Sequence, residues 1–504
     1  MSRMITILGC LTYLVILLPR PLRAEKQEAW VEVRSPNFIV VSDAGEKEAR
    51  KTATRFEQIR AVFRNSLAVA SAHPSLMVTI LALKDEAGLR SLLPDFWAKG
   101  HFHPAGIFAY EMNQYYAAIN LQAQGSNPYA TLYHEYYHSL TLPYYTDLPL
   151  WLAEGLATFF GNTEVNEKYV TMGEATPELV QQLHESKLIP LDVLFKVDRN
   201  SPYYNESSKT TIFYAESWVL THYFLTGDHE GHRQALADYL KELDGGATQE
   251  QAAAKAFGDL NKLQRALESY LVGGTLYYMR APAPPAVPNS DLHSRPLSEA
   301  EVGAYRGGFM AVRGKPDDAK PILEQAIRTN PNVALAYQNL ALAQFFTGDF
   351  SEALSSAARA IELEPRNVTA RYLHADLAFK SGGRFGHEPQ FEDDLRQAIA
   401  ADPNFAPAYP LLAECLASNG TGLIEALALA QKGITLEPGN YFCRLALAQV
   451  LLRMNRFDDA EASAINALRL ARQPQETASA QSFLSSLQQV PAIRCLQWRR
   501  VPGG

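Results

Sequence analysis

Prolines recur through the C-terminal half of the chain at a nearly constant spacing, and this periodicity limits the architecture more than any other feature. The intervals are 34, 38, 35 and 36 residues, between Pro331, Pro365, Pro403, Pro438 and Pro474. Each proline ends a helical pattern, because proline cannot continue a helix. A period of this length is typical of stacked helical pairs. Residues 298–489 are therefore predicted to form an all-α array of about five repeats.

The repeat resembles the tetratricopeptide motif. Its second unit carries the expected residues at Tyr337, Leu340, Ala341, Gly348, Ala353, Ala360 and Pro365. Small residues let paired helices pack closely and stack into a solenoid. The third unit carries an insertion at residues 381–389, and residues 475–488 are predicted to form a capping helix. The resemblance implies a concave face that binds a protein partner or a peptide; the alternative is an unrelated helical domain.

A second pattern lies upstream, where residues 133–138 read Tyr-His-Glu-Tyr-Tyr-His. On a helix, His134 and His138 lie on one face, so both imidazoles can bind one metal ion. Glu135 lies next to them, within reach of a water at that ion. Zinc in enzymes usually takes three protein ligands. Glu154 is the candidate third ligand, because a lone buried carboxylate is costly unless it is paired or binds metal. The alternative is a surface helix with two core histidines.

Two helices are predicted to carry these residues. The first runs over residues 128–140 and stops before Pro143. Asp147 and Pro149 start the second, and Gly161 ends it. Thr158, one turn after Glu154, is a candidate for supporting a ligand.

Residues 134–138, followed by Trp-Leu-Ala-Glu-Gly-Leu-Ala at 151–157, resemble the gluzincin metallopeptidases. Within that superfamily they are most similar to bacterial peptidase MA-like proteins, which often carry tetratricopeptide repeats. The resemblance spans roughly residues 30 to 278. It implies an α+β, thermolysin-like catalytic domain with one Zn²⁺ per chain. His134, His138 and Glu154 would bind the zinc, and Glu135 would be the general base.

The segment before the first metal helix, residues 25–125, is predicted to be mixed α/β. Strands are expected at residues 30–42 and 76–83, and a helix at 46–67. A hairpin is expected from 105–110 and 115–121, with its turn at Met112-Asn113-Gln114. By resemblance, residues 106–110 hold the substrate backbone through strand addition. They lack the Gly-x-Met-Glu-Asn motif of related aminopeptidases, so endopeptidase activity is expected at least as strongly as aminopeptidase activity.

Residues 126–280 are predicted to be the helical, zinc-binding part. Here Tyr214, Trp218 and His222 share one helical face. The resemblance implies that Tyr214 or His222 donates a hydrogen bond to the oxyanion; the alternative is an aromatic core stripe. His101 and His103 precede the edge strand, where they either line the cleft or lie on the surface.

The chain begins with a segment typical of secretion. Arg3 is followed by an apolar run, and cleavage after Ala24 is plausible, so residues 1–24 are predicted to be a signal peptide. The alternatives are an uncleaved membrane anchor and, through Cys10, a lipid anchor. The expected location is secreted or periplasmic, with no membrane span in the mature chain.

Residues 281–297 contain five prolines and are predicted to be a linker. Residues 490–504 are predicted to be a tail.

Charge and cysteine content argue against a nucleic-acid-binding protein and against a disulfide-stabilised one. The net charge is −8, and loss of residues 1–24, with three arginines and no acidic residue, makes it −11. Such an acidic chain is a poor nucleic-acid binder. Cys415, Cys443 and Cys495 would remain, and an odd number excludes a closed disulfide framework. Cys415 and Cys443 are predicted to be buried free thiols; the alternative is a bond between them.

The sequence thus predicts a zinc metallopeptidase followed by a tetratricopeptide solenoid that binds a protein partner or the substrate. Two alternatives stay open. One is a tetratricopeptide scaffold whose zinc site is vestigial. The other is a zinc hydrolase acting on a non-peptide amide, since the same chemistry serves both bonds.

Overall fold

The computed structural model describes residues 29–66, 77–97, 103–125, 127–141, 143–144, 148–205, 207–227, 230–273, 275–381, 389–420 and 422–498. The predicted signal peptide, His101, Asp147 and most of the predicted insertion at 381–389 lie outside these residues. The described part of the chain is predominantly helical. None of its helices combines the length and apolar character needed to cross a membrane.

The strands of the described part are β1 (Val31–Arg34), β2 (Phe38–Ser42), β3 (Val78–Leu83), β4 (Gly106–Glu111), β5 (Gln114–Asn120), β6 (Glu164–Val165), β7 (Tyr169–Met172), β8 (Met279–Pro282) and β9 (His293–Pro296). The helices before the repeats are α1 (Glu46–Ser66), α2 (Glu86–Leu92), α3 (Ala130–Thr141), α4 (Leu150–Gly161), α5 (Pro177–Glu185), α6 (Leu191–Leu194), α7 (Pro202–Asn205), α8 (Ser207–Thr226), α9 (Glu230–Asp244), α10 (Gln249–Phe257) and α11 (Leu260–Gly273).

The repeats follow as α12 (Glu299–Val312), α13 (Pro316–Thr329), α14 (Ala334–Phe346), α15 (Phe350–Leu363), α16 (Val368–Lys380), α17 (Pro389–Ala401), α18 (Ala408–Asn419), α19 (Leu423–Leu436), α20 (Tyr441–Arg453) and α21 (Phe457–Leu470). A longer helix, α22 (Pro474–Trp498), comes after them. The described residues thus form five helical pairs and one final helix, as the proline spacing predicts.

A six-stranded mixed sheet organises the first half, in the order β4-β5-β3-β2-β1-β9. The neighbours β2, β3 and β5 are parallel, and the other pairs are antiparallel. The predicted hairpin β4–β5 is confirmed, with Met112 and Asn113 at φ 44° and 59° in the turn. A smaller sheet has the order β6-β7-β8. Strand β4 lies at an edge of the large sheet.

The single strand expected at residues 30–42 is wrong, because β1 and β2 form a hairpin. Pro36 lies in the turn, where its missing N–H costs no ladder bond. The Glu57 carboxylate on α1 accepts hydrogen bonds from Ser35 Oγ and the Asn37 N–H, both at 2.7 Å. These two bonds hold the turn against the helix.

Both faces of the sheet are buried, because alternate side chains of its central strands point to opposite faces. Val40, Ile80 and Ala117 point to one face, where helices α1 and α3 supply Phe56 and Tyr136. These strands read as nearly continuous apolar runs, as buried parallel strands do. This face carries the lobe that holds the metal-ligand candidates.

The opposite face carries the first repeats. Val41, Leu81 and Tyr116 pack there with Phe309 of α12 and Leu340 of α14 in one apolar core. The rings of Tyr116 and Phe309 meet edge to face at 6.4 Å. The sheet therefore lies between the two halves of the chain and belongs to the core of both.

Residues 281–297 are not a linker between independent domains, so this prediction is corrected. Strand β8 pairs with β7, and β9 pairs with β1 over Val31–Arg34. The prolines that suggested a linker fit these positions, because Pro282 and Pro296 end their strands and β9 is an edge strand. The segment ties the repeats to the large sheet.

The array then curves back toward the metal helices. The backbone N–H of Gly439, between α19 and α20, donates to the carbonyl of Pro143 at 2.8 Å. Pro143 lies just beyond α3. The late repeats therefore contact the first half of the chain a second time, close to the edge strand β4.

Candidate metal centre

The three predicted metal ligands meet at one point. The two Nε2 atoms of His134 and His138 are 3.1 Å apart. Oε2 of Glu154 lies 3.2 Å from the first and 3.1 Å from the second. Among the described residues, this is the group of His, Cys, Asp and Glu arranged to hold an ion. Helix α3 supplies the two histidine nitrogens and helix α4 supplies the glutamate oxygen.

This triangle fits zinc. With metal–ligand distances of about 2.0–2.2 Å, the ligand atoms of a tetrahedral site stand about 3.3–3.6 Å apart. The observed separations of 3.1–3.2 Å lie just below the lower end of this range. Two imidazole nitrogens and one carboxylate oxygen are also ligands that zinc takes in hydrolytic enzymes. The donor set and its spacing therefore suit Zn²⁺.

Glu154 is buried, with 4% of its surface exposed. Burial raises the pKa of its carboxyl group, but the contacts with His134 and His138 outweigh it and lower the pKa to about 2. The hydroxyl of Tyr204 donates to the other carboxylate oxygen, Oε1, at 3.4 Å. Thr158 Oγ1 lies 3.2 Å from Nδ1 of His134, which leaves Nε2 directed at the site. These contacts orient the ligands.

Two glycines allow the supporting helices to approach closely. A Cβ on Gly155 would stand 2.1 Å from Thr221 Oγ1 and 2.3 Å from the Ser217 carbonyl oxygen, both on α8. A Cβ on Gly161 would stand 2.9 Å from the carbonyl oxygen of Ala130 at the start of α3. Glycine at these positions lets α4 pack against α3 and α8 at the distance that places Glu154 over the histidines.

Helix α3 begins two residues later than predicted. The Asn127 side chain, just before this helix, donates through Nδ2 to the Gly161 carbonyl at 2.9 Å. This bond joins the start of α3 to the end of α4.

Glu135 lies on the exposed side of α3 and lines a cavity of about 410 Å³ beside the metal-ligand candidates. Phe108 and Tyr110 of the edge strand β4 line the same cavity. The opposite wall comes from the late repeats and includes Asn440 and Tyr441 of the α19–α20 junction. The cavity is thus a cleft between the metal helices, the sheet edge and the solenoid.

The two oxyanion candidates have different surroundings. The ring of Tyr214 lies 5.9 Å from that of His134 and 6.4 Å from that of Tyr204. Burial and the Glu154 carboxylate raise the pKa of Tyr214. Of these two tyrosines, Tyr204 lines the cleft. Tyr214 therefore lies behind the cleft wall, next to Tyr204.

His222 lies in the core, away from the cleft. It is 0% exposed, and burial lowers its pKa to about 4. Its Nδ1 lies 2.9 Å from the hydroxyl of Tyr270 and 3.0 Å from that of Thr226. His222 is thus a satisfied core histidine, which corrects the expectation that it could serve as oxyanion donor.

The remaining candidate residues from the sequence lie outside the cleft. His103 stacks on Trp97 at 4.9 Å, outside the cleft. Cys415 and Cys443 are buried free thiols, as predicted. Sequence reasoning missed Tyr204 and the whole wall from the repeats. The Tyr203-Tyr204 pair before α8 was the available signal for Tyr204. No local signal existed for the wall that the repeats supply.

The comparisons with known proteins give two family matches. Residues 129–245 match a family described as a protein of unknown function, DUF1570, and this match contains all four metal-site candidates. Residues 313–377 match the tetratricopeptide repeat. The C-terminal region therefore contains tetratricopeptide repeats, which indicates binding to a protein partner. No curated protein matches the chain.

Two of the solved structures similar to this chain are described as tetratricopeptide proteins. A thermophilic protein of this class from Thermus thermophilus is 23% identical, with a TM-score of 0.31, and the match covers 37% of this chain and 98% of that one. YrrB, described as having an unusual peptide-binding site, is 16% identical, with a TM-score of 0.31, covering 36% and 92%. MamA from Desulfovibrio magneticus is 21% identical, with a TM-score of 0.29, covering 34% and 94%.

Proposed function

We propose that this protein is a zinc-dependent metallopeptidase, with His134, His138 and Glu154 as ligands and Glu135 as general base. The observation that carries the proposal is the convergence of three ligand atoms within 3.1–3.2 Å, next to a carboxylate that faces a cleft. Bound Zn²⁺ supplies a positive charge that polarises a carbonyl group and acidifies water at the site.

The side chains of the cleft have separate tasks in this proposal. The Glu135 carboxylate accepts a proton from the attacking water and delivers it to the leaving amine. Tyr204 holds Oε1 of Glu154, so that Oε2 stays directed at the histidines. Tyr204 is also a hydrogen-bond donor at the cleft wall, with Tyr214 behind it.

Strand β4 supports a peptide as the substrate class. Among the described strands it pairs with β5 alone, and within this part of the chain its outer backbone groups are open to a further strand. An extended peptide can add to such an edge, and Phe108 and Tyr110 line the cleft beside it. A chain held in this way passes the metal-ligand candidates, and free ends are not required. The arrangement favours endopeptidase activity.

A second candidate function is protein binding by the tetratricopeptide array, with a vestigial zinc site. The repeat match favours this role, and the comparisons support it better than they support hydrolysis. The two roles are compatible when the partner is the substrate. The proposed location, secreted or periplasmic, rests on the apolar run within residues 1–24.

Removing the metal tests the hydrolytic proposal. We expect the full chain to cleave members of a mixed peptide library, to lose cleavage after treatment with a chelator, and to regain it when Zn²⁺ is restored. Mass spectrometry of the digests gives the measurement, and His103→Ala, which changes a histidine outside the cleft, is the matched control. Cleavage that persists without metal contradicts the proposal, as does the lack of any cleavage with zinc supplied.

A further inference from the structure

The first helices of successive repeat pairs share one face of the solenoid, and the large sheet covers the first part of that face. Gln338 of α14 donates through Nε2 to Oε1 of Gln114 on β5 at 3.2 Å. Met112, in the turn of the β4–β5 hairpin, lies in one apolar core with Leu373 and Leu377 of α16. A protein partner therefore cannot occupy this part of the face while the sheet is in place.

Beyond the sheet, the same face continues as an open groove of about 670 Å³. Its walls come from described residues of α16, α18 and α20, which are again the first helices of their pairs, and of α22 after the last pair. Tyr441, at the start of α20, lines this groove and also the cleft beside the metal-ligand candidates. The groove is therefore the part of the described repeat face that is left open, and it lies next to the cleft.

Helix α22 presents small polar side chains to the groove. Ser479, Ser482 and Ser486 lie on one face of this helix and are exposed. The hydroxyls of Ser479 and Ser486 donate to the carbonyls of Gln475 and Phe483, at 2.9 and 2.6 Å. Their oxygens can still accept hydrogen bonds from a ligand. This wall therefore leaves room for a bound chain and offers acceptors to it.

The other side chains of the groove suit a cation with an apolar stem. Phe379, Tyr441, Phe442 and Phe483 are half-buried in its walls. Aromatic faces attract cations, and the aliphatic stems of Lys and Arg pack on apolar surface. The described lining contains no Lys or Arg, and Glu414 supplies its negative charge.

Glu414, on α18, is a buried acceptor in the groove wall. It is 5% exposed, and its Oε2 has no hydrogen-bond partner among the described residues. Burial raises the pKa of its carboxyl group to about 7, although the neighbouring Gln449 side chain acts in the opposite direction. The nearby Asp376 carboxylate is paired with Lys380 Nζ at 2.9 Å. A buried carboxylate without a partner is costly, so a cation from a ligand would stabilise this group.

We propose that this groove binds a segment of a protein partner and receives one of its Lys or Arg side chains at Glu414. The tetratricopeptide match indicates a protein partner, and the buried carboxylate between aromatic side chains selects a basic residue. The proposal does not rest on the metal centre or on hydrolysis. A partner that is also a substrate would lie beside the cleft, since Tyr441 borders both spaces.

Peptide selection on the full-length Glu135→Gln protein tests the groove with any hydrolysis of the probes suppressed. The probes are phage-displayed dodecapeptides of random sequence, and the bound peptides should share a Lys or Arg. The strongest binder is then made with a fluorescein label, together with a counterpart that has Gln in place of the basic residue. In fluorescence anisotropy, adding Glu414→Gln should weaken the basic peptide by about tenfold and its neutral counterpart by less than about twofold.

Ser482→Trp fills the groove from the exposed face of α22 and should abolish binding of both peptides, which keeps the test valid should Glu414→Gln prove unstable. The matched controls are Ser485→Trp, exposed on the same helix outside the groove, and Glu461→Gln, exposed on α21. Neither should change either affinity.

The proposal is overturned if the selected peptides lack a shared basic residue, if Glu414→Gln weakens both peptides alike, or if Ser482→Trp still binds them. Dimers that Ser482→Trp dissociates, without selection of basic peptides, would identify a second copy of the chain as the occupant and would also overturn it. A chain without zinc or hydrolysis that still selects basic peptides through Glu414 leaves the groove standing and removes only the proposed peptidase activity.

Discussion

Glu135→Gln should lower the rate of peptide hydrolysis by about 10²–10⁴-fold, the range expected when a general base is removed. Gln keeps the size of the side chain but cannot accept the proton. Because Glu135 is not one of the three converging ligands, zinc content and thermal stability should stay unchanged. Initial rates on a peptide that the wild type cleaves, measured with metal analysis of the same samples, give the result.

The matched control is Glu178→Gln, an exposed glutamate on α5 away from the cleft. It should keep the wild-type rate. A Glu135→Gln protein that cleaves peptides at near the wild-type rate would rule out the assigned role of this carboxylate. A variant that loses both zinc and activity would show instead that Glu135 supports the metal site.

Cutting the chain at Met279 should abolish folding, although the proline content of residues 281–297 predicts two separable modules. Such a chain lacks β9 and most of β8, the partners of β1 and β7. It also uncovers one face of the large sheet, including Val41 and Leu81. Each large apolar side chain contributes about 1.5–3 kcal/mol when buried, and whole domains are stable by only about 5–15 kcal/mol.

A chain that ends at Ser381 is the matched control. It keeps the first two helical pairs and α16 and, with them, every helix that packs on the uncovered face. It should remain folded and bind zinc, but it lacks the repeat wall of the cleft. Solubility, circular dichroism and thermal melting of both chains provide the comparison. A soluble, cooperatively melting chain that ends at Met279 would show that the shared core is not needed for folding.

The metal-ligand candidates could be predicted from sequence because their geometry is local. His134 and His138 are four residues apart on one helix, which alone brings both imidazoles to one face. Glu154 follows from the cost of burying a lone carboxylate on a neighbouring helix. Both inferences need only helix geometry and a short connection, and the three atoms lie together.

The rest of the cleft could not be predicted because it depends on how distant elements meet. Tyr204 reaches Glu154 across 50 residues of sequence. Arg472 reaches the cleft because the solenoid curves back from the opposite face of the sheet. Neither the repeat period nor the helical pattern specifies that curvature.

The linker error has a physical origin. Prolines are typical of linkers, but they also fit strand ends and edge strands, where no N–H is needed. Pro282 and Pro296 occupy such positions. Composition alone cannot separate these two uses, because the difference lies in whether the segment pairs with another strand. The partner of β9 is β1, more than 250 residues earlier in the chain.

The metal content of the purified protein tests the central claim most directly. The full chain, purified with zinc in the medium, should contain about one zinc ion per chain, whereas His134→Ala and Glu154→Ala should lose it, since a site reduced to two protein ligands holds the ion weakly. Thr163→Ala, at a buried position after α4 that is not a ligand, serves as the control for altered packing and should retain zinc. Elemental analysis that finds one zinc in the wild type and none in the ligand variants supports the metal centre. A wild-type chain without zinc when zinc is supplied, or ligand variants that keep it, would contradict the metal centre and leave the repeats as the functional part of the protein.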